Sequence, residues 1–144
     1  MTLELLLSTD NLDPDQWIDF PDHGFRQYFL WKNPLTGASF ALLDYAPGGG
    51  IPEAHTHASN QFMYCIKGRY EYTATGLVLV PGSFYMNPKG HLHGPTVAHE
   101  PSLLLEVYDG PHYAEMPSFH TEATIGGFLS SQVAPTDDAN GSAA

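Results

Sequence analysis

Glycine and proline interrupt this chain so often that little room is left for long helices. Fourteen glycines and twelve prolines are spread over 144 residues, at short intervals between apolar stretches. Proline lacks the N–H that a helix or an interior strand uses, and glycine loses more backbone freedom on ordering than any other residue. No stretch of twelve or more residues carries an apolar period of 3.6, which excludes a mainly helical fold. The pattern is one of short strands joined by turns.

Seven strands are expected: 24–32 (GFRQYFLWK), 38–46 (ASFALLDYA), 61–68 (QFMYCIKG), 69–75 (RYEYTAT), 76–80 (GLVLV), 83–87 (SFYMN) and 102–110 (SLLLEVYDG). The Asp/Pro chemistry of 12–17 (LDPDQW) predicts a short helical turn. No internal repeat is visible, so the reading is one domain over 1–129. The small, polar 130–144 stretch reads as a tail.

Composition narrows the function classes. Hydrophobic residues make up 42% and charged residues 15%, as in a globular chain with a sizeable core. A formal charge of −11 with five Lys and Arg argues against nucleic acid and against an anionic membrane surface, both of which need basic patches. The start, MTLELLLSTD, lacks a basic segment and a small-residue cleavage site, and no apolar run approaches the roughly 20 residues that span a bilayer. The lone Cys65 rules out an intrachain disulfide and sits in an apolar run, as a buried small hydrophobe would. A cytoplasmic protein with a small-molecule substrate is the expectation.

The histidines carry the chemistry. His55 and His57 are two apart, and side chains at i and i+2 of a strand share a face. Gln61 has matching parity, and its amide oxygen can also be a ligand. His91 and His93 follow a Pro-Lys-Gly turn that brings the chain back across the sheet. Two such histidines with a third some 35 residues on is a metal-ligand spacing. From spacing alone, either His91 or His93 can complete the set.

The two stretches closely resemble the two motifs of the cupin superfamily. The first, 49–68, runs Gly49, His55, His57, Gln61, Gly68; the second, 82–93, runs Gly82, Pro88, Gly90, His93. The resemblance implies an all-β fold, a single conical jelly-roll β-barrel. It also implies one divalent metal ion on His55, His57, Gln61 and His93, and a homodimer paired through an edge strand. Fe(II) is favoured; Mn, Ni, Co or Zn also suit these ligands. Gln61 stands where the family usually has Glu, and Val97 where the second motif often ends in Asn. Three imidazoles and a carboxamide are all neutral, so the ion would keep its full charge and favour an anionic bidentate ligand such as an enolate.

Within the superfamily the chain is loosely similar to small single-barrel dioxygenases that cleave acetylacetone or 2,4'-dihydroxyacetophenone. That similarity implies a non-haem Fe(II) dioxygenase breaking a C–C bond of a small diketone or hydroxyketone. A non-redox metal cupin (cyclase or isomerase) and a non-catalytic ligand-binding module are the alternatives. No catalytic residue is assigned. His23, His99, His112 and His120 read as surface or hydrogen-bonded histidines. Glu53 reads as a solvated turn residue, Arg69 as a surface residue and Glu106 as facing solvent. Phe40, Phe62, Tyr64, Phe84 and Tyr85 are expected to fill the barrel or a dimer interface. Neutral imidazole ligands predict metal loss below about pH 6.5.

Overall fold

The computed structural model describes residues 4–133. Its described residues form nine strands, one four-residue helix and three single 3-10 turns. The strands are β1 (Ile18–Phe20), β2 (Phe25–Lys32), β3 (Ser39–Tyr45), β4 (Gln61–Lys67), β5 (Tyr70–Tyr72), β6 (Leu77–Leu79), β7 (Phe84–Asn87), β8 (Thr96–Ala98) and β9 (Ser102–Tyr108); the helix is α1 (Glu122–Ile125). All seven expected strands are present. β1 and β8 are additional: each has three residues, too short for a readable alternation. The expected turn forms at Pro14–Gln16, where the Asp13 carboxylate accepts from the Asp15 N–H at 2.9 Å. Of the stretch read as a tail, Ser130–Gln132 make a 3-10 turn, and 134–144 lie outside the described residues. No helix among the described residues is long and apolar enough to cross a membrane.

Two antiparallel sheets make the barrel. The larger has the order β1-β2-β3-β9-β4-β7 and the smaller β6-β5-β8. This is the expected all-β jelly roll. β9 lies between β3 and β4, pairing Leu104 with Leu43 on one side and Cys65 on the other. Alternation along β9 is regular: Ser102, Leu104, Glu106 and Tyr108 are buried, and Leu103, Leu105 and Val107 are partly exposed. The core between the sheets gathers Phe25, Leu43, Tyr45, Met63, Cys65, Tyr70, Tyr72, Leu79 and Leu104. Each large apolar side chain buried there contributes about 1.5–3 kcal/mol. Cys65 is fully buried, as expected.

The five aromatics divide between the barrel and its surface, with Tyr85 packed against the core. Phe40, Tyr64 and Phe84 lie on the outer face of the large sheet, 41%, 46% and 67% exposed, and Phe62 and Tyr85 are only partly buried. The aromatics enclosed in the core are Phe20, Phe25, Tyr45, Tyr70 and Tyr72. Outer and inner faces of these strands are both apolar, so hydrophobicity alone does not say which face is which.

The glycine run after β3 ties the sheets together. The Gly48 N–H donates to the Ala98 carbonyl at 2.7 Å, and the Ala98 N–H donates to that of Gly49, also at 2.7 Å. Gly50 is packed so closely that a Cβ would fall on the Thr96 carbonyl, itself backbone. A side chain there must push the glycine segment away from β8. Gly50→Ala is therefore expected to cost about 2 kcal/mol or more. Gly48→Ala, which meets nothing within 4 Å but has φ of +85°, should cost about 1 kcal/mol. Urea unfolding of both variants checks the ranking, and equal midpoints would contradict it.

Candidate metal centre

Two separate segments meet at the mouth of the barrel through a reciprocal backbone pair. The His55 N–H donates to the His93 carbonyl at 2.8 Å, and the His93 N–H donates to that of His55 at 3.0 Å. His55 lies in this isolated bridge and His57 in no strand, so the i, i+2 geometry arises from a bridge rather than a regular strand. The turn of the second motif is held by the first. The Gly90 N–H donates to the His57 carbonyl at 3.0 Å, and the Lys89 N–H to Asn60 Oδ1 at 2.9 Å.

The three rings converge. The ligand atoms of His55, His57 and His93 all lie within 4.8 Å of one another. His93 Nε2 sits 2.9 Å from His57 Nε2 and 3.1 Å from His55 Nε2. The opposite nitrogens settle the tautomers, since a neutral imidazole carries one N–H. His55 Nδ1 contacts the Glu53 carbonyl at 2.9 Å and His57 Nδ1 that of His112 at 3.1 Å. A carbonyl only accepts, so both Nδ1 atoms carry the proton and both Nε2 atoms are bare. A single N–H on His93 could satisfy only one of them. Unprotonated lone pairs facing each other at this spacing are what a divalent cation satisfies, and the cluster suggests a divalent metal site. His93 Nδ1 is held by the Tyr85 hydroxyl at 3.0 Å.

Gln61 lines the same cavity as the three histidines. Its Nε2 donates to Glu106 Oε2 at 2.8 Å and to the Tyr108 hydroxyl at 3.1 Å. Its Oε1 is the one buried side-chain polar atom among the described residues without a hydrogen-bond partner. A buried acceptor left empty is costly, and a cation in the cavity would fill it. His91 is outside the cluster. It is exposed, with Nδ1 on Asn87 Oδ1 at 2.8 Å, which favours His93 as the third imidazole.

Glu106 corrects the sequence reading. It is 7% exposed and lines the cavity, instead of facing solvent. Oε1 accepts from Gln27 Nε2 at 3.3 Å, and Oε2 from Gln61 and, at 3.3 Å, from Tyr108. Burial raises its pKa to about 7, with the hydrogen bonds from Gln61 and Tyr108 pulling the other way. The parity of β9 was the available signal, since Glu106 shares the face of Leu104 and Tyr108. Apolar residues on both faces concealed it.

Other residues also turn inward. His112, buried, places Nε2 on Ser39 Oγ at 2.7 Å and stacks on Tyr108 with ring centroids 3.8 Å apart. Tyr72 and Tyr113 are buried in the cavity wall, and Phe119 packs on His55. Glu53 is exposed, but its carbonyl orients His55 while its carboxylate accepts from Ser118 at 2.7 Å. Arg69 is exposed, as expected, and His99 pairs with Glu71 at the surface. The cavity itself measures about 40 Å³, room for about three waters.

Burial pushes the imidazole pKa values down: to about 2 for His57, about 3 for His93 and His112, and about 4 for His120, with desolvation the largest cause in each. The folded protein thus resists protonating its ligand set well below pH 6.5, and acid loss of metal should accompany unfolding. For each of these histidines the folded pKa lies below the unfolded one. Stability is therefore lost as pH falls through about 6.5, at up to about 1.4 kcal/mol per pH unit each. Glu106 runs in the opposite direction between about 7 and 4.5 and offsets one of them. Urea midpoints of the chelator-treated protein should fall steeply from pH 7 to 5; a constant midpoint would contradict this burial.

Comparison with known proteins agrees with the fold. The family model described as the ChrR Cupin-like domain matches residues 6–113. No curated protein matches. Among solved structures, the acetylacetone dioxygenase of Acinetobacter johnsonii superposes with a TM-score of 0.68 at 22% identity, over 92% of this chain and 91% of that one. KdgF from a Halomonas species gives 0.61 at 21%, over 76% and 94%. A chain from the Rhodobacter sphaeroides complex of SigE with the anti-sigma ChrR gives 0.55 at 18%, over 71% and 51%. At these identities the likeness is one of fold, while the family match spans most of the sequence. The chain belongs to the ChrR cupin-like domain family.

Proposed function

We propose that this chain is an Fe(II)-dependent dioxygenase that breaks a C–C bond of a small diketone or hydroxyketone, with His55, His57, His93 and Gln61 as the metal ligands. The observation that carries the metal reading is the convergence of bare imidazole lone pairs beside the orphaned Gln61 Oε1. When bound, the ion supplies a Lewis acid with open positions for a chelating enolate and for dioxygen. The similarity in fold to an acetylacetone dioxygenase supports the substrate class.

The chain's own groups position and shield. The Glu53 and His112 carbonyls and the Tyr85 hydroxyl fix the three imidazole orientations. Phe119 and Tyr113, packed on each other and on His55, keep water off that side of the cavity. Glu106 and Tyr108 hold the Gln61 amide.

A second reading, a non-catalytic metal or ligand-binding module, draws on the ChrR-domain match. The same proposal includes a cytoplasmic homodimer. Support for a dimer comes from the outer face of the large sheet, where Phe40, Tyr64, Ile66, Phe84 and Met86 are exposed.

Elemental analysis followed by oxygen uptake with a panel of β-diketones and hydroxyacetophenones after Fe(II) loading tests the assignment. Stoichiometric iron with substrate-dependent oxygen uptake is expected. Metal binding without uptake on any substrate would favour the binding module or a non-redox enzyme. His93→Ala should abolish stoichiometric metal and His91→Ala should retain it; the reverse result would overturn the ligand assignment.

A further inference from the structure

Glu106 is a buried carboxylate with no direct part in the proposed metal chemistry, yet three side chains from three strands converge on it. Gln27 on β2, Gln61 on β4 and Tyr108 on β9 all donate to it. Gln27 and Gln61 are 5% and 4% exposed, so each amide is committed to a single orientation by partners that water does not replace.

We infer that Glu106 is the positioning residue for Gln61, engaging its Nε2 so that the unpartnered Oε1 is the arm left to act as a ligand. This rests on the metal site proposed above and deepens it. Against the ionised Glu106 that a bound cation favours, a flipped amide would set Oε1 at the 2.8 Å now spanned by the N–H donor, two acceptors in contact with no proton between them. It would also turn an NH2 group toward a cation. Both changes are unfavourable, so the carboxylate selects one of two otherwise similar amide orientations.

The same contact accounts for an amide where the family usually has a carboxylate. A glutamate at 61 would abut Glu106 in a buried site, and two carboxylates there cannot both stay ionised. The negative charge has moved one hydrogen bond outward: the ligand is neutral and the charge stands behind it.

Co(II) serves as the probe, read by chelator competition and by its visible absorption, which reports the ligand set directly. Gln61→Met should weaken Co(II) binding about tenfold, within the range for removing such support, and alter the spectrum. Glu106→Met should produce the same loss and the same altered spectrum. The double variant should be no weaker than either single one, because Glu106 acts through Gln61. Glu106→Gln should keep the wild-type spectrum, since the oxygen of the substituted amide can still accept from Gln61. The inference is overturned if Glu106→Met keeps the wild-type spectrum and affinity, or if the two Met penalties multiply. It is also overturned if Gln61→Met binds Co(II) as wild type does, a result that leaves the three-histidine site standing. Wild-type protein that takes up no Co(II) would overturn the metal site itself, and this inference with it.

Discussion

The reciprocal hydrogen bonds between His55 and His93 are the constraint on which the site depends. They join residues 38 positions apart in sequence, from two segments that are otherwise loops, and they do so through backbone groups that carry no side-chain specificity. Backbone bonding sets where each Cα sits, and carbonyls and one tyrosine hydroxyl then set each ring. The three Nε2 atoms are thus placed by hydrogen bonds made at the Nδ1 side of each ring. Such a site is preorganised: little side-chain freedom remains to be lost when a ligand binds.

Around this bridge the barrel encloses an unusually polar interior. Gln27, Gln61, Glu106, His57 and His112 are all buried, and Tyr45, Tyr70 and Thr96 join hydroxyl to hydroxyl on the cavity's other side. Burying polar groups is tolerable only when they find partners. Among the described residues the one exception is the Oε1 of Gln61, a residue in the wall of the cavity where the imidazoles meet. The satisfied network locks the walls, while the unsatisfied positions mark where a ligand belongs.

The sequence disclosed the parts of this arrangement that depend on local pattern. Glycine and proline spacing identified the strands, and the order of glycines, histidines and Gln61 pointed to the fold and to the residues that the cavity brings together. What escaped was set by tertiary pairing. β1 and β8 are too short to show a period. Glu106 looked solvent-facing because Leu103, Leu105 and Val107 opposite it are as apolar as the buried Leu104. That outer face resembles a core in composition, so the placement of Phe40, Tyr64 and Phe84 could not be read from hydrophobicity. His112 and Tyr113 lie beyond both motifs and enter the site only because the chain folds back after β9, where Tyr113 bridges to Leu129.

Glu106 also changes the electrostatic account of the ligand set. Counting ligands alone, three imidazoles and an amide leave a divalent ion with its full charge. With the carboxylate included, a negative charge would stand behind the Gln61 amide rather than being absent. At that remove it interacts with the ion more weakly than a direct ligand would, because coulombic energy falls with distance and an amide intervenes. A bound cation in turn favours the ionised carboxylate, against the burial that raises its pKa. In the proposed reading, neutral ligands and a held-back carboxylate act together: the ion would stay electrophilic enough to attract an enolate, while the protein would still supply part of the countercharge that a buried cation requires.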